Sequence, residues 1–426
     1  MVLQIMSEKI EDGKVASRHR VNSSEPFEPR PRPGVPAHTI RDDAEAITVA
    51  QRLAAEFAGG ASERDREGWI PVDEVDVYSQ SGLWGITVPR AYGGADVSYA
   101  TLAEVIRTIA AADSSIAQIT QNHLALVSHI ALDASESQKK HLFELVLKGY
   151  RFGNAFSERN SRNVAAFETR LVEQGDDVVV NGQKFYTTGA LLAHIVPIVA
   201  VNADGEGFLV FADRDVPGLT VVNDWSSFGQ RVTASGSILI DNVKVPKSRV
   251  VPVKAFDRPT AAGPISQIIQ AAIDAGIAKG ALDETVAFLR TKSRPWIDSG
   301  KDTAAEDPFT IATIGNLVIR LHAAEALLDR AGRRIDTALR EPGEDTVNAA
   351  VLATSEAKVL TTEIAIEATN RLFELAGTRS TLAEHNLDRY WRNARVHTLH
   401  DPVRWKYFHV GNYTLNGVSP PRYPWN

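Results

Sequence analysis

The chain contains no cysteine. That excludes disulfides, thiol nucleophiles and cysteine-ligated metals, and it removes the compartment signal that cysteine usage carries. It also lacks a basic block: 46 Lys and Arg stand against 53 Asp and Glu, a formal net charge of -7, which argues against a nucleic-acid partner. No apolar run approaches the roughly 20 residues that a membrane span needs. The apolar residues between Met1 and Met6 are too few for the core of a signal peptide. A cytoplasmic location is therefore the default expectation. No Gly-x-Gly-x-x-Gly follows a strand and no Walker-type loop exists, so ordinary dinucleotide-binding and P-loop readings fail.

What remains is an ordinary globular balance, 44% apolar and 23% charged over 426 residues, enough for two or three domains or one large composite fold. Residues 1–40 are polar and carry Pro26, Pro29, Pro31, Pro33 and Pro36, which predicts an extended or disordered arm. From Asp42 a helical period appears: Ala44, Ile47, Ala50, Leu53, Ala54 and Phe57 share one face. Further helices are predicted from Val72 to Ser81, from Tyr99 to Ala112 behind Ser98, after Asp113, and from Glu136 to Lys148. This makes 41–150 an all-helical portion.

Over residues 151–255 the period changes to two. Arg170–Glu173 and Asp177–Tyr186 read as a hairpin around the Asn181-Gly182 turn. Short strands follow at 195–201, 207–211, 219–222, 237–240 and 243–245, a spacing that suggests a small sandwich or barrel. From residue 256 to the end the helical period returns. A buried helix runs from Pro264 to about Thr291, a long one opens at Asp307-Pro308, and another spans Asp345–Glu374. A last helix begins near Leu382. The fold class is α+β: a helical N-terminal domain, a middle β-barrel or sandwich, and a C-terminal four-helix bundle.

Chemistry concentrates near the end. His397 and His400 stand three residues apart, followed by Asp401 and by Pro402, which ends a helix just before itself. Histidine suits proton work near neutral pH. On spacing alone the pair is equally an ordinary helix end, favoured by the macrodipole. No Glu ligand stands beside it on another helix, so no metal site is expected.

Four motifs, taken in order, resemble the acyl-CoA dehydrogenase family over roughly residues 45–415. They are Phe152–Glu158, Asn181–Gly189, Trp225–Gly236 and Asp241–Pro246. The resemblance implies a flavin between the β domain and the C-terminal bundle, and a homotetramer. It can be narrowed. Where dehydrogenases of the family carry a proton-abstracting Glu followed by Gly, this chain reads Leu399-His400-Asp401-Pro402. Some relatives place the base on the helix near Pro264, where this chain offers only Gln267 and Gln270. Dehydrogenation thus lacks its expected base. Together with Leu372–Thr381, His385–Arg389 and Trp391–Lys406, this looks like the flavin monooxygenase branch. The similarity is to dibenzothiophene monooxygenase-like enzymes and, more closely, to the sulfur-acquisition oxidoreductases linked to dimethyl sulfone use.

What the resemblance implies is as follows. Reduced FMN, delivered by a separate NAD(P)H-dependent flavin reductase, reacts with O2 to give a C4a-hydroperoxyflavin that oxygenates a small organosulfur compound. A dry cleft protects that adduct. His123 and His400 line the pocket, with Asp401 beside them. Thr188 lies near flavin N5, Tyr186 packs on the ring, and Ser157 donates to the pyrimidine edge. Arg294 and the Gly377-Thr378-Arg379 loop approach the flavin phosphate, in part from a neighbouring subunit. The alternative is an acyl-CoA dehydrogenase with FAD, using Asp401 as base. A non-catalytic flavin-binding protein is the rival from another class.

Overall fold

The computed structural model describes residues 18–23 and 27–426. Local rules place the first helices. Helix α1 (Asp43–Glu67) starts on Asp42, whose carboxylate accepts from the Glu45 N–H, and stops at Gly68 in the left-handed region. Helix α2 is Val72–Gln80 and α3 is Tyr99–Ala112, the latter capped by Ser98. Helix α4 (Ser114–Asp133) begins on Asp113, and α5 (Glu136–Leu147) on a Ser135/Gln138 capping box.

Seven strands follow: β1 (Arg170–Gln174), β2 (Asp177–Lys184), β3 (Ile195–Val201), β4 (Gly207–Asp213), β5 (Leu219–Val221), β6 (Ile238–Pro246) and β7 (Val250–Pro252). They form one sheet in the order β5-β6-β2-β1-β3-β4-β7, parallel only between β1 and β3. Two sequence expectations need correction. The hairpin turns at Gly175-Asp176, not at Asn181-Gly182, since Gln174 pairs with Asp177. Asn181-Gly182 lies inside β2, at a register shift against β6, where the Asn181 side chain accepts from the Asn242 N–H. A Cβ on Gly182 would stand 2.4 Å from Thr169 Oγ1, so the glycine is there for close approach. The runs 237–240 and 243–245 are one strand, β6, continued through left-handed Asn242.

The bundle comprises α6 (Ala262–Thr291), α7 (Pro308–Arg340), α8 (Glu344–Ala376), α9 (Asp388–His397) and α10 (Arg404–Asn416). Helix α6 is buried on nearly every side. Its Gly276 lets α3 come so near that a Cβ would meet Arg107 O at 2.5 Å. The last helix does not begin near Leu382. A 3₁₀ turn at Thr378–Thr381 precedes α9, and Asn386 is held left-handed while its amide donates to Ser62 O and Asp65 Oδ2. These long-range bonds override local helix propensity. Helix α7 is long and apolar enough, by length and composition alone, to cross a membrane, although Arg320 and Glu325 interrupt its apolar residues; little of it is buried within the single chain.

Part of the predicted N-terminal arm, residues 1–17 and 24–26, lies outside the described residues. The remainder contains no helix and is docked. The Ile70 N–H donates to His19 O and the His38 N–H to Gln80 O, while Arg30 pairs with Asp76.

Candidate active site

Helix α4 organises the site, because three of its residues each meet a different part of the chain. His123 is fully buried between the rings of Trp84 and Phe152. The Phe152 N–H donates to its Nδ1 at 2.9 Å, which leaves the proton on Nε2, 3.1 Å from the Trp84 carbonyl it donates to. Burial pushes its pKa down to about 3, the Trp84 bond opposing weakly, so the ring is neutral. Gln121, half a turn earlier, reaches His400 Nε2 at 3.4 Å. Ile119 packs on Gly189, where a Cβ would approach Ile119 O to 3.3 Å.

Gly189 closes the loop that carries Tyr186 and Thr188. Tyr186 has φ 58°, a strained conformation for an aromatic residue, and the residue is 54% exposed. Asn154 Nδ2 donates to its carbonyl at 3.1 Å, and its ring lies 6.2 Å from that of Trp225. Ser157 is joined to this loop through its carbonyl, which accepts from the Phe185 N–H at 2.9 Å. The Ser157 turn is anchored by buried Lys184, which donates to Phe156 O and Glu158. Thr188 Oγ1 is 2.8 Å from Ser235 Oγ, which is 2.8 Å from Thr233 Oγ1.

The bundle contributes charge. His400 is 44% exposed at its side chain, with Nδ1 3.3 Å from Asp401 Oδ1. Burial works to raise the Asp401 carboxyl, but the His400 hydrogen bond and the charges of Lys358, His400 and Lys406 outweigh it and hold the group well below the usual carboxylate range. Lys406, itself pushed down to about 8 mainly by burial, stands 4.0 Å from Asp401 and donates to Trp425 O.

Sequence reasoning missed a second, deeper group. Asp274 on α6 is fully buried, accepts from Lys358 Nζ at 2.9 Å and Thr362 Oγ1 at 3.0 Å, and binds His397 Nδ1 at 2.5 Å. Burial raises Asp274, yet Lys358 and His397 win and hold it ionised; burial lowers His397 despite Asp274. The bond to an ionised Asp274 places a proton on His397 Nδ1, and its Nε2 is buried without a partner. The available signal was a lone acid in the run Ile268–Ile277, a position where burial without partners is prohibitive.

Arg294 and the Gly377–Arg379 turn are exposed and adjacent to one another: Arg379 donates to Lys292 O, and Ser293 Oγ to Ala376 O. Among the described residues, no hydrogen bond joins this pair of loops to Ser157, Tyr186 or Thr188 within the chain. Two surface cavities of about 490 and 530 Å³, one around Arg107 and Glu325 and the other around Arg64 and Glu74, involve none of these residues.

The residues fit a flavin. Buried polar atoms without partners occur at Asn154 Oδ1, Gln118 and Gln121 Oε1 on α4, Gln267 and Gln270 Oε1 on α6, and His397 Nε2. Buried polar atoms are normally paired. Such a set, on the elements that meet around α4 beside an exposed tyrosine ring, suits a flat molecule rich in donors and acceptors.

The fold and this site define a class. Residues 42–150 match the acyl-CoA dehydrogenase N-terminal domain and residues 268–405 its C-terminal domain. The chain belongs to the acyl-CoA dehydrogenase family. Within it, the chain is 35% identical over 397 residues to dibenzothiophene monooxygenase of Rhodococcus erythropolis, covering 89% of this chain and 95% of that protein. It is 32% identical over 389 residues to the probable FMNH2-dependent monooxygenase SfnC of Pseudomonas putida, covering 88% and 96%. The crystal structure of FMN-bound TdsC from Paenibacillus sp. A11-2 superposes with a TM-score of 0.85 at 32% identity, covering 89% of this chain and all of that one.

Proposed function

We propose that the chain is a flavin-dependent monooxygenase that uses reduced FMN and O2 to oxygenate a small organosulfur compound for sulfur acquisition. The observation that carries this reading is the state of Asp401. A base for an acyl thioester must be able to take up a proton. Asp401 is nearly buried and held ionised by His400, Lys358 and Lys406. So firmly ionised a carboxylate is a weak base for the α-proton of an acyl thioester, which disfavours the FAD-linked dehydrogenase alternative. The relatives named above, one FMNH2-dependent and one solved with FMN, support the oxygenase reading and FMN over FAD.

Reduced FMN, when bound, supplies the two electrons that activate O2. The chain supplies the rest. Tyr186 packs on the ring, with Ser157 and Thr188 at its edge. Arg294 and Gly377, Thr378 and Arg379 take the phosphate of a flavin held partly by a neighbouring subunit, the use to which their exposure on one subunit is suited. His400 holds and passes a proton at Nε2, and Asp401 fixes its tautomer through Nδ1. His123 was read from sequence as catalytic. With both nitrogens bonded to main chain, its part in this reading is to wall the cleft against water.

A homotetramer is supported by the apolar residues that α7 leaves exposed, Phe309, Ile311 and Ile319. Reduced flavin comes from a separate NAD(P)H-dependent reductase, and the enzyme works in the cytoplasm. Two titrations discriminate the rivals, the first anaerobic and the second with O2. Acyl-CoA thioesters leave flavin bound to the protein oxidised, whereas reduced FMN with O2 and a sulfur substrate yields oxygenated product; bleaching of the flavin by an acyl-CoA overturns the reading.

A further inference from the structure

Thr188 ends a chain of hydroxyls whose direction can be worked out by counting protons. The Gln230 carbonyl is an acceptor only, and it receives both Trp225 Nε1–H at 3.0 Å and Thr233 Oγ1–H at 3.0 Å. Thr233 has one hydroxyl proton, so that proton is spent. Its 2.8 Å contact with Ser235 Oγ must then be donated by Ser235. Ser235 has spent its own proton in turn, so its 2.8 Å contact with Thr188 must be donated by Thr188. Every hydroxyl points towards Gln230, and Thr188 Oγ1 has only lone pairs left for a ligand.

The end of the chain is rigid. Gln230 is fully buried. Its Oε1 accepts from Ser114 and Ser115, its Nε2 donates to Ser114 O, and its N–H donates to Asn393 Oδ1 at 2.7 Å. It thereby ties α4, the β domain and α9 together, and its carbonyl cannot turn without breaking all three. The Thr188 N–H is also occupied, donating to Tyr186 O at 3.0 Å. At this point of the cleft, residue 188 offers an acceptor and no donor.

We propose that Thr233 and Ser235 are positioning residues that orient the Thr188 hydroxyl as a pure acceptor, and so make the site select reduced over oxidised FMN. The inference rests on the reading that Thr188 meets flavin N5. Reduced flavin carries a proton on N5 and donates; oxidised flavin presents a lone pair there. Lone pair against lone pair in a buried site forfeits a hydrogen bond and its desolvation, which corresponds to about tenfold in affinity. The preference retains the form delivered by a reductase and sheds the spent one.

The test is the ratio of the FMN dissociation constants, oxidised over reduced, measured anaerobically on the full-length protein. Thr233→Val frees the Ser235 proton, which can then turn to Thr188 and release the Thr188 proton into the cleft. Ser235→Ala releases it directly. Each is expected to tighten oxidised FMN, lowering the ratio about tenfold, which corresponds to a bound couple about 30 mV more negative than in the unaltered protein. Thr233→Ser keeps the chain and the ratio. Damage to folding weakens both affinities together and leaves the ratio alone, so the readout survives it. If Thr233→Val and Ser235→Ala leave the ratio unchanged while Thr188→Val alters it, the orientation proposal is overturned and the contact with flavin stands. If Thr188→Val also changes neither affinity, both fall.

Discussion

His123 and His400 are the same side chain in opposite situations. His123 is fully buried, and main-chain groups occupy both nitrogens at 2.9 and 3.1 Å. His400 is 44% exposed, and its contacts to Asp401 and Gln121 are long, 3.3 and 3.4 Å. The first can change protonation only by breaking a backbone bond. The second has only long side-chain contacts and a face open to solvent. An imidazole becomes a reagent when its surroundings leave it a free edge, and a structural brace when they do not.

Substitution should separate the two. His400→Ala is expected to cut product formation by about 10²-fold or more while FMN still binds, with O2 consumed in excess of product. Stopped-turnover product analysis against O2 uptake checks it, and tight coupling in the variant would erase the contrast. His123→Leu leaves the Phe152 N–H and Trp84 carbonyl buried and unpaired, which costs roughly 2–4 kcal/mol of stability for the two groups. Urea unfolding should show that loss, with turnover of the folded fraction close to wild type. The smallest effect is the pH dependence. The folded pKa of His123 is depressed from 6.5 to about 3, so its contribution is full above pH 6.5 and is lost as pH falls towards 3. Its slope is about 1.4 kcal/mol per pH unit within that window. In His123→Leu the loss of unfolding free energy between pH 7 and pH 4.5 should be smaller by about 2.7 kcal/mol, two pH units of that interval lying inside the window; an equal loss in both proteins would assign the titration elsewhere.

The same contrast shows what could be read from sequence. Features fixed by neighbours in the chain were legible: the helix starts at Asp42, Ser98, Asp113 and Asp307. The motifs directed attention to the Tyr186–Thr188 loop and the His400-Asp401 turn. Features fixed across the chain were not legible. Asp274 and His397 are 123 residues apart, and only folding shows that they bind. Asn181-Gly182 has turn chemistry, but β6 pairs across it and the chain turns six residues earlier. Gln230, in a loop, gives no sign in sequence that it joins three parts of the molecule.

The enzyme transfers oxygen to its substrate rather than removing hydrogen from it. The direct measurement supplies reduced FMN, 18O2 and a small sulfone or sulfinate, and weighs the product. One atom of 18O in the product is the result predicted. Oxygen drawn from water, or a product that has lost two hydrogens and gained no oxygen, would contradict it.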